Sequence, residues 1–371
     1  MLKSLYLFTI LSLSVSAQSV KTPVTNADFI DLEVKIKEFI AGNPDRRIPL
    51  LVRNVFHDLF LQKKAGYHGC IMKSDFVENL ENGGLAGINE NLSSLISTNF
   101  ADKAFSLGDV IAFSGKVAVE AAYPCLNIDF KFNRSPCVED EPVISNEAPS
   151  AFIDSIEGLE GMFKYLGNDI TAEDMAILFA GAHGIKGARA GPSGWFGVFA
   201  TVTSGKDFIA KTFSSIWKGT SERTLFQFFT GDTFNRESSI IRLPSDMMFY
   251  PSKVPEGSRK DDSAQATTIE NVLKGFVDQE DSVFDQRFGQ AFTKMLTIGN
   301  GNESFVSNKT SGCTPPATLT MSMSLSTGLS LTSPTPTTMA PIPHSSSKHS
   351  PSKHSPSNGK SSSKKTKSPK K

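Results

Sequence analysis

Seven stretches of this chain carry apolar residues at three- and four-residue spacing: 27–41, 48–63, 85–97, 106–122, 151–166, 171–179 and 284–297. That spacing puts an apolar stripe on each helix, and such stripes are buried by packing helix against helix. Two of the starts pair a hydroxyl residue with a carboxylate three positions on: Ser106 with Asp109, and Thr171 with Asp174. Such a pair can satisfy free amides at a helix N-terminus reciprocally. Alternating strand patterns are few, and 126–132 and 198–202 are the candidates for short β pieces. The expectation is an all-α domain with long functional loops.

Both ends differ from this body. Residues 5–15 form an apolar run behind Lys3, and Val15-Ser16-Ala17 places small residues before position 18. This is the pattern of a secretory signal peptide, 1–17, and the run is too short to span a bilayer. Secretion agrees with Asn-x-Ser/Thr sequons at Asn91, Asn133, Asn302 and Asn308. Beyond 305 the composition turns to Ser, Thr and Pro, then to two copies of Lys-His-Ser-Pro-Ser and a Ser/Lys terminus. Too few apolar residues remain there to offset ordering entropy, so 306–371 is expected to be a disordered tail, with a folded domain over 18–305.

The 38 basic and 38 acidic residues cancel, which argues against a general nucleic-acid binder. The balance conceals an asymmetry, because nine Lys and no Asp or Glu follow Glu303. An acidic body thus precedes a basic tail suited to an anionic matrix, mineral or polysaccharide; a plain solvated tail is the simpler alternative. Four cysteines, Cys70, Cys125, Cys137 and Cys313, are too few for a disulfide scaffold and lack zinc spacing. Two disulfides are expected in an oxidising compartment. Three connectivities are open; the short stretch between Cys125 and Cys137 favours that pair, leaving Cys70 with Cys313.

Three histidines remain in the body: His57, His68 and His183. Arg53, Phe56 and His57 stand at i, i+3 and i+4, on one face of a helix. A guanidinium beside an imidazole lowers the ring's proton affinity and favours a neutral base near physiological pH. Such a pair suits peroxide chemistry, the base taking a proton and the cation favouring a departing oxygen. A surface Arg/His pair would show the same spacing. His183 ends an apolar helix within Gly181-Ala182-His183-Gly184, where small neighbours leave room for a flat cofactor. A buried Asp, such as Asp246 in Leu243-Pro244-Ser245-Asp246, can strengthen a metal-bound His and fix its tautomer. His68 reads as a solvated loop residue.

Arg53-x-x-Phe56-His57-Asp58, Asn82-Gly83-Gly84-Leu85, Gly181-Ala182-His183 and Leu243-Pro244-Ser245-Asp246 occur in an order and spacing that resemble the plant, fungal and bacterial haem peroxidase superfamily. The stretches 108–115, 125–137 and 288–295 are similar to its secreted ligninase-like and invertebrate peroxidase-like branches. The resemblance spans roughly 32–299. It implies a two-lobed all-α fold with haem b between a distal and a proximal helix. It further implies that His57 is the distal base and acid, that Arg53 assists peroxide cleavage and that Asn82 keeps the catalytic nitrogen of His57 unprotonated. Phe56 would cover the haem, His183 would ligate its iron, and Asp246 would be the anionic partner of His183. Either Trp195 or Phe196 stands where relatives place an aromatic near the proximal His; Trp195 there would pack, or hold a radical.

Departures from the family pattern concern cations. Asp58 is retained as a possible calcium ligand, but Ile71, Met72 and Lys73 follow Gly69-Cys70, where a carboxylate and a hydroxyl belong. Gly184 stands where many relatives supply a hydroxyl to a proximal ion, the stretch near Ser204 lacks an Asp, and Asp232 has no clear motif. Trp217 is a weak radical candidate. The leading expectation is an extracellular haem peroxidase that reduces hydrogen peroxide and oxidises small phenolic or aromatic donors, or tyrosines of matrix proteins, in one-electron steps. Its rivals are a catalytically weak structural or adhesive matrix protein on a peroxidase fold, and a haem protein that binds ligands without turnover.

Overall fold

A computed structural model describes residues 21–60, 66–72, 82, 84–137, 155–165, 170–185, 204–214, 216–217, 226–229, 239–254, 261, 263–298 and 303–306. The chain divides into two units, Met1–Leu319 and Thr320–Lys371, and every described residue belongs to the first. The leader, the 198–202 strand candidate, the tail beyond 306 and the sequons at Asn302 and Asn308 lie outside the described residues. Asn91 and Asn133 are exposed.

Helix α1 (Asn26–Ala41) opens on a reciprocal cap between Thr25 and Asp28, then buries Phe29, Leu32, Ile36 and Ile40. Helix α2 (Pro44–Leu59) begins four residues before the apolar rhythm predicts. Pro44 sits in its first turn, where a missing N–H leaves no bond unmade. Helices α3 (Ala86–Asn99) and α4 (Leu107–Ala122) follow. At the start of α4, Ser106 accepts from the Asp109 amide. The Asp109 carboxylate turns instead to the Asn133 amide at 2.8 Å and to Arg134 Nη1 at 2.9 Å. The expected capping box is therefore half made, because a buried guanidinium competes for the carboxylate.

Strand β1 (Lys131–Phe132) pairs antiparallel with β5 (Glu303–Ser304). Between them in sequence come α5 (Ile156–Tyr165), α6 (Ala172–Gly184), α7 (Gly205–Ser214), the antiparallel strands β2 (Ile216–Trp217), β3 (Phe226–Phe229) and β4 (Ser239–Arg242), α8 (Pro244–Met247), α9 (Ala264–Val277) and α10 (Asp281–Leu296). The described structure is dominated by helix, as the apolar rhythm predicts. Helices α7 and α9 and strands β2 to β4 add to that reading. Their apolar stripes are short, and α9 buries its face with Ala266, Ile269, Leu273 and Phe276 amid polar residues.

Two groups of helices position the site. In the first, α2 lies along α4 and α1 packs on α4. A Cβ at Gly115 would stand 2.0 Å from Val55 Cγ2, so glycine is required where α2 and α4 touch. Phe29 is fully buried and meets Phe105, Phe113, Phe130 and Phe132 at centroid distances of 4.7 to 5.7 Å. In the second group α6 packs against α7 and α10. Helix α6 also touches α2, and that contact joins the two groups.

The disulfide expectation is corrected. Cys70 bonds to Cys137, with Cα atoms 5.2 Å apart and a sequence separation of 67. Cys125 is disulfide-bonded as well, and Cys313 lies outside the described residues. Burial alternates from Leu126 to Arg134, the mark of an extended stretch advancing about 3.3 Å per residue. That extension carries Cys125 and Cys137 apart, although they are close in sequence. His68 is also corrected. It is buried rather than solvated, with Nδ1 3.1 Å from the Ser135 carbonyl.

Candidate active site

On α2 every residue from 51 to 60 is buried except Arg53, Phe56 and His57. On α6 every residue from 174 to 185 is buried except Ala182 and His183. The helical spacing of the first three puts them on one face, and the second pair closes α6 at its C-terminus. Phe179, one turn before His183, packs edge-on against Phe56 at 6.0 Å and lies 5.6 Å from the His183 ring. The two uncovered patches thus belong to contacting helices.

His57 Nδ1 lies 2.8 Å from Asn82 Oδ1. An amide oxygen only accepts, so Nδ1 carries the ring proton and Nε2 holds the lone pair. Asn82 is buried, and its own carbonyl accepts from the Leu85 amide ahead of α3. Arg53 Nε donates to His57 Nε2 over 3.3 Å, a long bond in which the cation and the lone pair converge on one point. Burial first, and the Arg53 charge second, hold the His57 proton affinity down to about 3, against a smaller upward pull from Asn82. His57 is therefore a neutral imidazole at physiological pH, its Nε2 lone pair facing a fixed cation.

Helix α6 is anchored at its start. Thr171 and Asp174 form a complete capping box. Asp174 also binds Arg287 and Lys294 of α10, each at 2.8 Å. At the far end His183 Nδ1 donates to Asp246 Oδ1 over 2.7 Å. Asp246 is buried, and its Oδ2 accepts the Leu243 amide at 2.8 Å, so the Leu-Pro-Ser-Asp turn holds the carboxylate rigid. With Nδ1 spent on Asp246, the His183 lone pair is on Nε2, on a side chain that is 27% exposed.

This donor set fits a haem. One imidazole has its tautomer fixed by a carboxylate, as a metal-ligating histidine requires. A second is held neutral beside a guanidinium, and the half-buried ring of Phe56 stands by. His183 would hold the iron.

Among the described residues, the surroundings of Asp58 do not make a calcium site. Calcium takes roughly six to eight oxygen ligands. Both Asp58 oxygens accept backbone N–H groups, from Gly69 and Ile71, each at 3.0 Å. Ile71 and Met72 bring no oxygen-bearing side chain. Gly69 adopts φ +75°, the left-handed conformation that aims these amides at the carboxylate. On the proximal side the end of α6 and the start of α7 are in direct backbone contact. A Cβ on Gly184 would stand 2.6 Å from Gly205 Cα, and one on Gly205 would stand 2.9 Å from Gly181 Cα.

The structure brings together Arg53, Phe56, His57 and Asn82, and, separately, His183 with Asp246. Trp195, Phe196 and Asp232 lie outside the described residues. Among those described, the aromatics near the His183 ring include Phe208, 6.1 Å away. Sequence reasoning passed over Phe208, Thr212 and Arg242. The signal for Arg242 was present: a lone cation in the apolar run Ile240-Ile241-Arg242-Leu243.

Residues 34–201 match the protein-family model described as Peroxidase. With the helical fold, this match supports membership of the plant, fungal and bacterial haem peroxidase superfamily. The match supports a peroxidase-type function in general, and the family implies haem binding and hydrogen peroxide as substrate. No curated protein sequence matches the chain. The matched region contains Arg53, His57, Asn82 and His183, while Asp246 lies beyond it.

Proposed function

We propose that this protein is a secreted haem peroxidase that reduces hydrogen peroxide and oxidises phenolic or aromatic small molecules, or tyrosines of matrix proteins, by one-electron steps. The observation that carries the reading is His57, with Nδ1 on Asn82 at 2.8 Å and Nε2 beside Arg53 at 3.3 Å. Haem, when bound, supplies the electron chemistry between peroxide and donor. His183 Nε2 would hold the iron, and Asp246, bonded to Nδ1, would fix the ring and increase its electron donation.

The proton work falls to the distal side. Peroxide entering between Arg53 and His57 replaces their long mutual bond. His57 Nε2 takes the proton of the near oxygen and returns it to the far oxygen as the O–O bond breaks. Asn82 keeps Nδ1 protonated throughout, so Nε2 is always the nitrogen that exchanges. Arg53 stabilises negative charge on the departing oxygen. Phe56 helps exclude water from the space above the cofactor.

Export by the 1–17 leader, a disordered tail over 306–371 and binding of the tail to an anionic matrix, mineral or polysaccharide are parts of this proposal. The acidic body and basic tail support the last of them. The test is an absorption spectrum of purified protein before and after peroxide, with turnover of a phenolic donor. A Soret band that responds to peroxide, with turnover, is expected. A folded, haem-free chain that binds matrix would overturn the reading in favour of a structural matrix protein. His183→Ala should lose stable haem; an unchanged Soret band would remove His183 as ligand.

A further inference from the structure

Tyr123 caps α4 and is buried, its ring 5.1 Å from that of Phe288 on α10. Its hydroxyl donates to the Gly181 carbonyl over 2.8 Å. That carbonyl lies in the last turn of α6, two residues before His183. Helical geometry would send it the Ile185 amide, but that amide turns to Ala182 instead. The last carbonyls of a helix need partners from elsewhere, and here one comes from the end of another helix. The Gly205 amide donates to the same hydroxyl. Gly205 opens α7, where an N–H has no partner within its own helix. One hydroxyl therefore serves the negative end of α6 and the positive end of α7. Burial foremost, and the Asp285 charge next, keep the phenol protonated against a smaller opposite pull from the Gly205 amide.

This bond does for the backbone what Asp246 does for the ring. Asp246 holds His183 Nδ1 at 2.7 Å, which orients the imidazole but leaves the turn that carries it to be fixed separately. Glycines bring that turn close to its neighbours. A Cβ on Gly181 would stand 2.2 Å from Phe288 Cδ2, and one on Gly184 would stand 2.6 Å from Gly205 Cα. Glycine permits such an approach without directing it, and the Tyr123 hydroxyl supplies the direction. We propose that Tyr123 is a positioning residue for His183, its hydroxyl locking the last turn of α6 to the first turn of α7 so that the imidazole meets the haem iron in a single orientation. The proposal rests on the haem reading above. Without the hydroxyl the Gly181 carbonyl is stranded in a buried place, and the turn relieves it by rotating toward other donors. His183 then meets the iron in more than one orientation.

The experiment compares haem-loaded wild type, Tyr123→Phe and Tyr67→Phe. The control removes another buried hydroxyl, whose bond goes to the Met295 carbonyl of α10 at 3.2 Å rather than to α6. Resonance Raman of the ferrous forms reads the iron–histidine stretch. Tyr123→Phe should broaden or split that band, and Tyr67→Phe should leave it as in wild type. Hydrogen exchange of the same samples should quicken roughly 2- to 10-fold at the Gly205 amide in Tyr123→Phe alone. An unchanged band in Tyr123→Phe, or one altered alike in both variants, leaves the tyrosine a merely structural role and overturns the proposal. Should Tyr123→Phe not fold, wild type decides. Its Gly205 amide should be protected although it stands first in its helix, and exchange at the rate of an open chain overturns the proposal. Wild type that takes up no haem sinks the underlying reading and this inference with it. Loaded protein with a band indifferent to the hydroxyl sinks this inference alone.

Discussion

Asn82→Ala isolates the tautomer control of His57. The asparagine is buried, and its side-chain oxygen is 2.8 Å from His57 Nδ1. Truncation leaves a desolvated N–H without its acceptor, a cost of about 1–3 kcal/mol. The ring can relieve that cost by moving its proton to Nε2, which removes the lone pair from the reacting side. At about 1.4 kcal/mol per factor of ten, the reaction with peroxide should slow roughly 5- to 150-fold. The acid limb has a definite sign too. The Asn82 bond raises the His57 proton affinity against burial and Arg53, so its loss shifts the limb below its wild-type position near pH 3. Asn82→Asp should do the reverse, drawing His57 protonation toward neutrality and depressing the rate in mildly acidic buffer. Stopped-flow mixing with peroxide, followed at the Soret band across pH, reads both effects. A wild-type plateau in Asn82→Ala, or a limb displaced upward, refutes the reasoning.

Other expectations follow from the same geometry. Chelation of calcium should leave the thermal unfolding midpoint unchanged, whereas Asp58→Ala, which strands the Gly69 and Ile71 amides, should cost about 2–5 kcal/mol with or without calcium. A midpoint that rises with added calcium and loses that response in Asp58→Ala contradicts this. Cys70→Ser opens a loop of 67 residues and should lower stability by about 4 kcal/mol on the chain-entropy model, read by denaturant unfolding. The free histidine of an unfolded chain binds a proton near pH 6.5, while folded His57 resists until about 3. Stability should therefore fall as pH drops through that window, by up to about 1.4 kcal/mol per unit, and His57→Leu should flatten the slope.

Much of this was legible in the chain because it is local. The i, i+3, i+4 spacing of Arg53, Phe56 and His57 fixes a shared face whatever surrounds it. The Thr171–Asp174 cap closes within one turn. The pairing of His183 with Asp246 spans 63 residues, and no periodicity carries it; the family resemblance supplied it. The cysteines show the limit from the other side. Proximity in sequence favoured Cys125 with Cys137, but the extended stretch from Leu126 to Arg134 separates them and Cys70 takes the bond. The Ser106 box fails for a similar reason. Its carboxylate is claimed by Arg134, 25 residues on, a competitor that a local pattern cannot reveal.

The two positions where relatives hold cations show how one fold can meet the same demand with different chemistry. A cation beside the distal helix ties its end to the following loop by neutralising carboxylates. Here Asp58 closes the same gap by accepting the Gly69 and Ile71 amides, and the Cys70–Cys137 bond fastens that loop to the 131–137 segment. With Ile71 buried in place of an acidic ligand, Asp58 is the one carboxylate among the described residues here, and backbone dipoles suffice for one. On the proximal side the substitution is steric. Gly184 and Gly205 let α6 and the start of α7 approach to a distance that a Cβ would forbid, while Gly181 leaves room for Phe288 of α10. Backbone contact thus holds the end of α6, and with it His183, against the start of α7. Both solutions spend residues that cannot be exchanged singly. Restoring an acid at Ile71 would place a second carboxylate beside Asp58, and a hydroxyl at Gly184 would push α6 off α7.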